Sequence, residues 1–102
     1  GVEHRDSLIV PWRGPVLPWA VDDYANLTED HFTALAALAP ELVLFGSGTR
    51  IRFPRPALLQ ALIARRIGLE TMDTPAACRT YNVLLAEGRS VVAALLFEPQ
   101  RP

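Results

Sequence analysis

Residues 42–52 read LVLFGSGTRIR, an apolar run that ends at two glycines flanking a serine and continues into two arginines. The uninterrupted run over residues 42–45 is typical of a strand that is covered on both faces. Glycines directly after such a strand stand where open α/β sheets place ligands, and free backbone amides there can bind an anion. The same glycines can also simply turn the chain out of the sheet, and we prefer that interpretation.

The segments around this stretch alternate between helical and strand patterns. Helices are predicted where a capping residue or a proline precedes an apolar repeat, at Thr28, Pro56 and Thr74. Further strands are predicted over residues 69–72 and 90–97. The order strand, helix, strand, helix, strand from residue 41 onward indicates an α/β layer whose sheet is at least partly parallel.

The N-terminal part is predicted to form a hairpin. Residues 7–11 (SLIVP) and 16–21 (VLPWAV) are short apolar stretches separated by a segment typical of a turn. Pro11 and Pro18 have no N–H to donate, so both strands are predicted to lie at a sheet edge. At the other end of the chain, residues 97–102 are predicted to be a frayed tail.

Several apolar side chains are predicted to fill one modest core. In the second helix they follow helical spacing, at Leu58, Leu59, Leu62 and Ile63. In the third helix they are Tyr81, Leu84 and Leu85. Trp12 and Trp19 either fill the hairpin side of the core or mark an interaction surface.

The composition limits the range of functions. With 102 residues and a formal net charge of −1, the chain is predicted to be a single domain over residues 1–102 that does not bind nucleic acid. Its longest apolar run, residues 91–97, is too short for membrane insertion. A single cysteine, Cys78, leaves no internal disulfide, which predicts a cytoplasmic location. All ten Lys or Arg positions are arginine, so lysine chemistry is excluded.

A ligand or anion site is predicted where the glycine turn meets the start of the third helix. If the strands are parallel, both turns lie at the same edge of the sheet, and backbone amides, a guanidinium and a carboxylate converge there. Helical spacing puts Arg79 and Asn82 on one face and Cys78 on the neighbouring face. The residues of this predicted site are Gly46, Ser47, Gly48, Asp73, Cys78, Arg79 and Asn82.

The predicted site lacks the parts of a catalytic centre. Neither a dinucleotide fingerprint nor a Walker loop is present. Cys78 has no histidine nearby in sequence to act as a base, and we prefer to interpret it as a small buried residue. Asp73 and Arg79 are predicted to form a structural ion pair. No catalytic residue, metal site or cofactor is therefore predicted, and a non-catalytic role is preferred.

The segment after the glycine turn is rich in arginine. No acidic residue lies between Glu41 and Glu70, whereas five arginines do. Guanidinium groups suit carboxylates and phosphates. Two interpretations are open: Arg50, Arg52 and Arg55 contact an acidic partner or ligand, or they belong to a solvated loop. We prefer the solvated loop.

Several stretches of the chain resemble a known family. They are residues 42–48 (LVLFGSG), 70–82 (ETMDTPAACRTYN) and 83–96 (VLLAEGRSVVAALL), together with SLIVP and LTEDHF nearer the start. They are similar to the small-domain family that includes mitochondrial respiratory complex I assembly factor 3 and uncharacterised bacterial and archaeal proteins. The resemblance implies an α/β fold, a three-layer domain with a mixed central sheet plus an N-terminal β-hairpin. It also implies that a short segment can be missing before Gly1.

The resemblance implies a binding role and no established reaction. The mitochondrial relative helps to assemble complex I as a binding partner, without known catalysis. The preferred hypothesis is therefore a non-catalytic, assembly-factor-like domain with a protein partner of unknown identity. The alternative is a small enzyme, or a metabolite- or anion-binding protein, that uses the predicted site at residues 46–48 and 73–79. A thiol sensor based on Cys78 is disfavoured because the chain has no resolving cysteine.

Overall fold

The computed structural model describes residues 6–99 of the chain. Residues 1–5 and 100–102, which include the end of the predicted tail, lie outside the described residues. The described strands are β1 (Leu8–Val10), β2 (Leu17–Pro18), β3 (Leu42–Gly46), β4 (Gly68–Met72) and β5 (Val91–Leu95). The described α-helices are α1 (Glu29–Ala36), α2 (Gln60–Ala64) and α3 (Thr74–Ala86), and two 3-10 helices span Tyr24–Asn26 and Pro56–Leu59.

The five strands form one mixed sheet in the order β2-β1-β5-β3-β4. Strand β3 runs parallel to its neighbours β4 and β5, while β1 runs antiparallel to β5 and β2. The predicted mixed α/β sheet with an N-terminal hairpin is confirmed. The expectation that both hairpin strands lie at an edge is wrong for β1, which pairs on both sides. Pro11 follows the last residue of β1 and takes no position in the ladder, whereas Pro18 lies in the edge strand β2.

Strand β3 is buried on both faces, as its apolar run predicts. Val43 and Phe45 pack on one face in a core that includes residues of α1 and α2, and Leu44 packs on the other face against α3. Helices therefore cover both sides of the sheet and give three layers. Full burial of side chains of this size contributes roughly 1.5–3 kcal/mol each, so the middle of the sheet is a major source of stability.

Trp19 fills the hairpin side of the core. Its side chain is only 3% exposed, and its ring makes edge-to-face contacts with Phe32 and Phe45 at centroid distances of 5.9 and 6.0 Å. Its Nε1 donates a hydrogen bond to the His31 carbonyl oxygen at 3.1 Å. Trp19 is therefore a core residue, whereas Trp12 is half-buried.

The first and third helices start close to their predicted caps. Thr28 is the N-cap of α1, as predicted, and its N–H donates to Nδ1 of His31 at 2.9 Å. The N-cap of α3 is Asp73 and not Thr74, because the Asp73 carboxylate accepts a hydrogen bond from the Ala76 N–H at 2.8 Å. None of the helices within residues 6–99 has the length and apolar character needed to cross a membrane.

The second helix departs further from its prediction. Pro56 opens a 3-10 helix that continues directly as α2. The predicted burial of Ile63 is wrong: this residue is 61% exposed, because α2 packs against the core through Leu62 and the next position is rotated by about 100° around the helix. The predicted burial of Leu85 is wrong as well, because this residue lies on the side of α3 that faces away from the sheet.

Candidate functional site

The glycine turn and the start of α3 lie side by side at one edge of the sheet, as the sequence predicts. Strands β3 and β4 are parallel, with Gly46 paired beside Met72. The Ser47 N–H donates to the Met72 carbonyl oxygen at 2.9 Å, and the Thr74 N–H donates to the Gly48 carbonyl oxygen at 2.8 Å. The two turns are therefore hydrogen-bonded directly to each other.

The hydroxyl of Thr74 completes this junction. It accepts a hydrogen bond from the Gly48 N–H at 2.9 Å and donates one to the Leu96 carbonyl oxygen at 2.9 Å. The N–H groups of Ser47 and Gly48 are thus both bonded within the chain. Each backbone N–H has one hydrogen to donate, so an external anion would have to displace these bonds in order to use them.

Gly46 allows α3 to pack closely on the sheet. A Cβ atom at this position would lie 3.0 Å from the Thr74 Cα, 3.1 Å from the Ala77 Cβ and 3.2 Å from the Leu95 Cδ2. A densely packed interior does not accept an added carbon at such distances without moving its neighbours. The space between the sheet and the start of α3 is therefore filled by the chain itself.

A carboxylate of the same chain lies beside Gly48. The Arg52 Nη2 is hydrogen-bonded to Glu98 Oε1, and the Tyr24 N–H donates to Glu98 Oε2 at 2.9 Å. A Cβ on Gly48 would lie 2.9 Å from the Arg52 Nη2, and Gly48 has a φ of +103°. A residue with a Cβ would be strained at this φ and would also clash with the Arg52 guanidinium. Glycine at position 48 therefore makes room for an internal ion pair. The predicted frayed tail is wrong for Glu98, which this non-local pairing fixes in place.

The other residues of the predicted ligand site have separate positions. Asp73 caps α3 and makes no ion pair with Arg79 in the described structure, so that predicted pair is wrong. The predicted burial of Cys78 is also wrong: the thiol is exposed, because helix α3 turns this position away from the sheet. Arg79 and Asn82 are exposed on the same helix. Ligand binding by these residues stays a prediction. Within residues 6–99, no group of three or more His, Cys, Asp or Glu could hold a metal ion.

The loop of residues 49–55 follows the glycine turn and is held by hydrogen bonds to its backbone. The Ser47 Oγ donates to the Arg50 carbonyl oxygen at 2.7 Å and accepts from the Arg52 N–H at 2.8 Å. The Arg52 guanidinium donates to the Ser47 carbonyl oxygen at 2.6 Å and lies over the Tyr24 ring, 4.7 Å from its centroid. A buried serine and a half-buried arginine therefore fix the path of this loop.

The fixed loop exposes large apolar side chains. The Tyr24 hydroxyl donates to the Phe53 carbonyl oxygen, yet the Phe53 side chain is 69% exposed and Ile51 is 53% exposed. Arg50 and Arg55 are exposed on the same loop. Sequence reasoning identified the arginines but missed the apolar residues, because Ile51 and Phe53 fit no helical repeat or core strand. The available signal was large apolar residues alternating with arginines just before a proline.

Comparison with known proteins gives relatives of this fold. Residues 1–96 match the family described as Protein of unknown function (DUF498/DUF598). The chain is 41% identical over 86 residues to NADH dehydrogenase (ubiquinone) 1 alpha subcomplex assembly factor 3 of Bos taurus. That match covers 82% of this chain and 47% of the relative, so the chain spans about half the length of the curated protein.

Solved structures of bacterial proteins share the fold. A crystal structure of a Bordetella parapertussis protein has a TM-score of 0.84 and 43% sequence identity, covering 89% of this chain and 78% of that chain. The solution structure of a Bordetella pertussis protein, described as a Mth938-like domain, has a TM-score of 0.79 and 35% sequence identity. It covers 89% of this chain and 73% of that chain. By the match over residues 1–96, the chain belongs to the family described as Protein of unknown function (DUF498/DUF598).

Proposed function

We propose that this chain is a non-catalytic protein-binding domain and that the loop of residues 49–55 is part of its binding surface. The observation that carries the proposal is the 69% exposure of Phe53 in a loop whose backbone is hydrogen-bonded to the Ser47 and Tyr24 side chains. A phenylalanine left in solvent forgoes roughly 1.5–3 kcal/mol that burial would contribute. A loop built to hold such a side chain in solvent is suited to contact a second surface.

The residue types of the loop support a protein partner. Aromatic residues and arginine are enriched in protein–protein interfaces and among the residues that carry most of the binding energy. Phe53 and Ile51 lie between the exposed Arg50 and Arg55. Because the loop is already ordered, little conformational entropy is lost when it binds.

The relatives support the same kind of role. The Bos taurus protein is named as an assembly factor, and assembly depends on contacts between proteins. Because the match covers 47% of that relative, the proposal rests on the surface of this chain and does not carry over the partners of the relative.

We also propose a cytoplasmic location. Cys78 is the one cysteine of the chain, and its side chain is exposed. An exposed thiol persists in reduced form in the cytosol and is prone to oxidation elsewhere. Fractionation of cells of the source organism is expected to recover the protein with cytosolic markers, and recovery in a periplasmic or membrane fraction would contradict this location.

Site-specific photo-cross-linking tests the binding function. A photoreactive phenylalanine analogue is introduced at Phe53, and in a matched control at Ile63, which is 61% exposed but lies on α2. Illumination of cells of the source organism is expected to give a discrete protein adduct from position 53 and not from position 63. Equal labelling at both positions, or none at position 53, would show that the loop is not a protein-binding surface.

A further inference from the structure

A groove lies next to the loop of residues 49–55. Its volume is about 290 Å³, and it is lined by Tyr24, Ala25, Leu27, Pro54, Arg55 and Leu58. Pockets that enclose drug-sized ligands run from roughly 300 to 1,000 Å³. This open groove is therefore sized for one or two side chains of a partner protein and is small for a cofactor.

The groove has an apolar floor. Leu27 is 3% exposed and forms part of the main core, while Tyr24 and Leu58 are half-buried against that core. The Arg52 guanidinium and the Tyr24 ring stack on each other, which holds the aromatic wall of the groove in position. An apolar side chain of a partner would therefore meet carbon atoms that are already fixed.

The loop side of the groove carries the cationic side chain of Arg55, and Arg50 is exposed on the same loop. The chain between residues 42 and 69 contains five arginines and no acid, although the whole protein has a net charge of −1. Arg52 is paired with Glu98, and Arg65 donates to the Ala36 carbonyl oxygen at 2.8 Å. Within residues 6–99, no carboxylate lies within salt-bridge distance of Arg50 or Arg55. These exposed guanidinium groups are available to an incoming ligand.

We propose that the partner binds through an acidic segment that carries an apolar side chain. Its carboxylates pair with Arg50 and Arg55, and its apolar side chain enters the groove between Tyr24 and Leu58 beside Phe53. Guanidinium groups form bidentate hydrogen bonds with carboxylates, which supplies charge complementarity and orientation together. This inference rests on the proposed protein-binding function and specifies the chemistry of the partner.

Nucleic acids and anionic membranes match this surface less well than an acidic protein segment does. Nucleic acids and anionic membranes bind best to surfaces with many cations and an overall positive charge, and this chain has a net charge of −1. Phosphate backbones also make little use of an apolar groove. An acidic protein segment uses both the guanidinium groups and the groove.

Selection from a displayed library of short random peptides tests the proposal without knowledge of the natural partner. The full chain is immobilised, and peptides are selected in low salt and then ranked by Kd with purified variants. The expected peptides combine several Asp or Glu residues with one Leu, Ile or aromatic residue, and they bind more weakly in high salt.

Matched variants separate the two parts of the groove. Reversing Arg50 and Arg55 to Glu is expected to weaken the selected peptides about tenfold or more, because it replaces attraction by repulsion. The control, with the same charge change at Arg13 and Arg66, which lie outside the groove and the predicted ligand site, is expected to leave the Kd within about twofold. Phe53→Ser is expected to weaken binding, whereas Ile63→Ser is not. All four arginines are exposed, so their replacement is expected to leave the fold intact. The circular dichroism spectrum of each variant checks this.

The outcomes distinguish failure of this inference from failure of the proposed function. Peptides without acidic residues, or acidic peptides that tolerate the Arg50 and Arg55 reversals, would overturn the acidic partner while cross-linking at Phe53 still supports protein binding. Recovery of no peptide, together with binding of single-stranded RNA or anionic vesicles that needs the same arginines, would overturn it in favour of a polyanion. Loss of the Phe53 cross-link itself would instead remove the proposed function.

Discussion

Two adjoining halves of one segment, residues 42–48 and residues 49–55, have opposite surroundings. In the first half, Phe45 is fully buried and the N–H groups of Ser47 and Gly48 are bonded within the chain. In the second half, Phe53 is 69% exposed although the loop backbone is fixed. The comparison teaches that this chain buries a phenylalanine for stability at one position and holds another phenylalanine in solvent eight residues later.

The largest effect is expected from replacing the buried phenylalanine. Phe45→Ala should lower the free energy of unfolding by about 3–5 kcal/mol, because it leaves a cavity between α1 and the sheet. Phe53→Ala should change it by no more than about 0.5 kcal/mol, because the side chain is exposed. Chemical denaturation of the two variants measures both values. A similar loss of stability for the two would contradict the contrast between a buried Phe45 and an exposed Phe53.

The next largest effect is expected at the boundary between the halves. Gly48→Ala places a Cβ 2.9 Å from the Arg52 Nη2 at a φ of +103°. It should cost about 2 kcal/mol or more, from backbone strain and displacement of the ion pair together. Gly88→Ala is the control, because Gly88 has a φ of +79° but no atom within 4 Å of an added Cβ. If thermal unfolding shows equal losses for both variants, the ion pair does not depend on Gly48.

A smaller effect is expected from the arginine that holds the loop. Arg52→Gln removes the contact with Glu98 and the hydrogen bonds to the Ser47 carbonyl oxygen. The loss of stability should be about 1–2 kcal/mol, since both side chains are partly exposed. Amide hydrogen exchange should accelerate within residues 49–55 and stay unchanged in β3. Unchanged exchange in the loop would mean that Arg52 does not order it.

The smallest effect is expected at Tyr81, on the opposite side of the sheet from the loop. Its hydroxyl donates to the Pro11 carbonyl oxygen at 2.5 Å, and burial raises its pKa above the ordinary value of 10.0. A raised folded-state pKa means that this stabilising contribution is complete below about pH 10 and is lost as the pH rises through the folded-state pKa. Tyr81→Phe should cost about 1 kcal/mol at neutral pH and remove this alkaline dependence, as denaturation at several pH values would measure.

Much of the fold could be predicted from local patterns. The apolar run of β3, the cap at Thr28 and the proline at residue 56 each constrain the chain within a few residues, and each marks an element that the structure contains. The adjacency of the glycine turn and the start of α3 followed from the parallel strand order alone. Such signals are local in sequence or are fixed by topology.

The errors came from properties that depend on distant contacts. Cys78 and Ile63 were assigned to the core by residue type and spacing, but their exposure depends on how each helix is rotated against the sheet. Glu98 looked like part of a tail because its partner Arg52 lies 46 residues earlier. The exposed Phe53 was missed for the same reason, since sequence pattern alone does not separate a buried loop phenylalanine from one held in solvent.

The most direct test combines binding and stability in one variant. The photoreactive analogue is placed at Ile51, which is 53% exposed and lies in the same loop as Phe53, and Phe53→Ser is introduced in the same chain. We predict that the yield of cross-linked partner falls strongly while the free energy of unfolding changes by no more than about 0.5 kcal/mol. An undiminished yield, or a loss of yield that is matched by a loss of stability, would contradict the proposal that Phe53 is kept in solvent for binding.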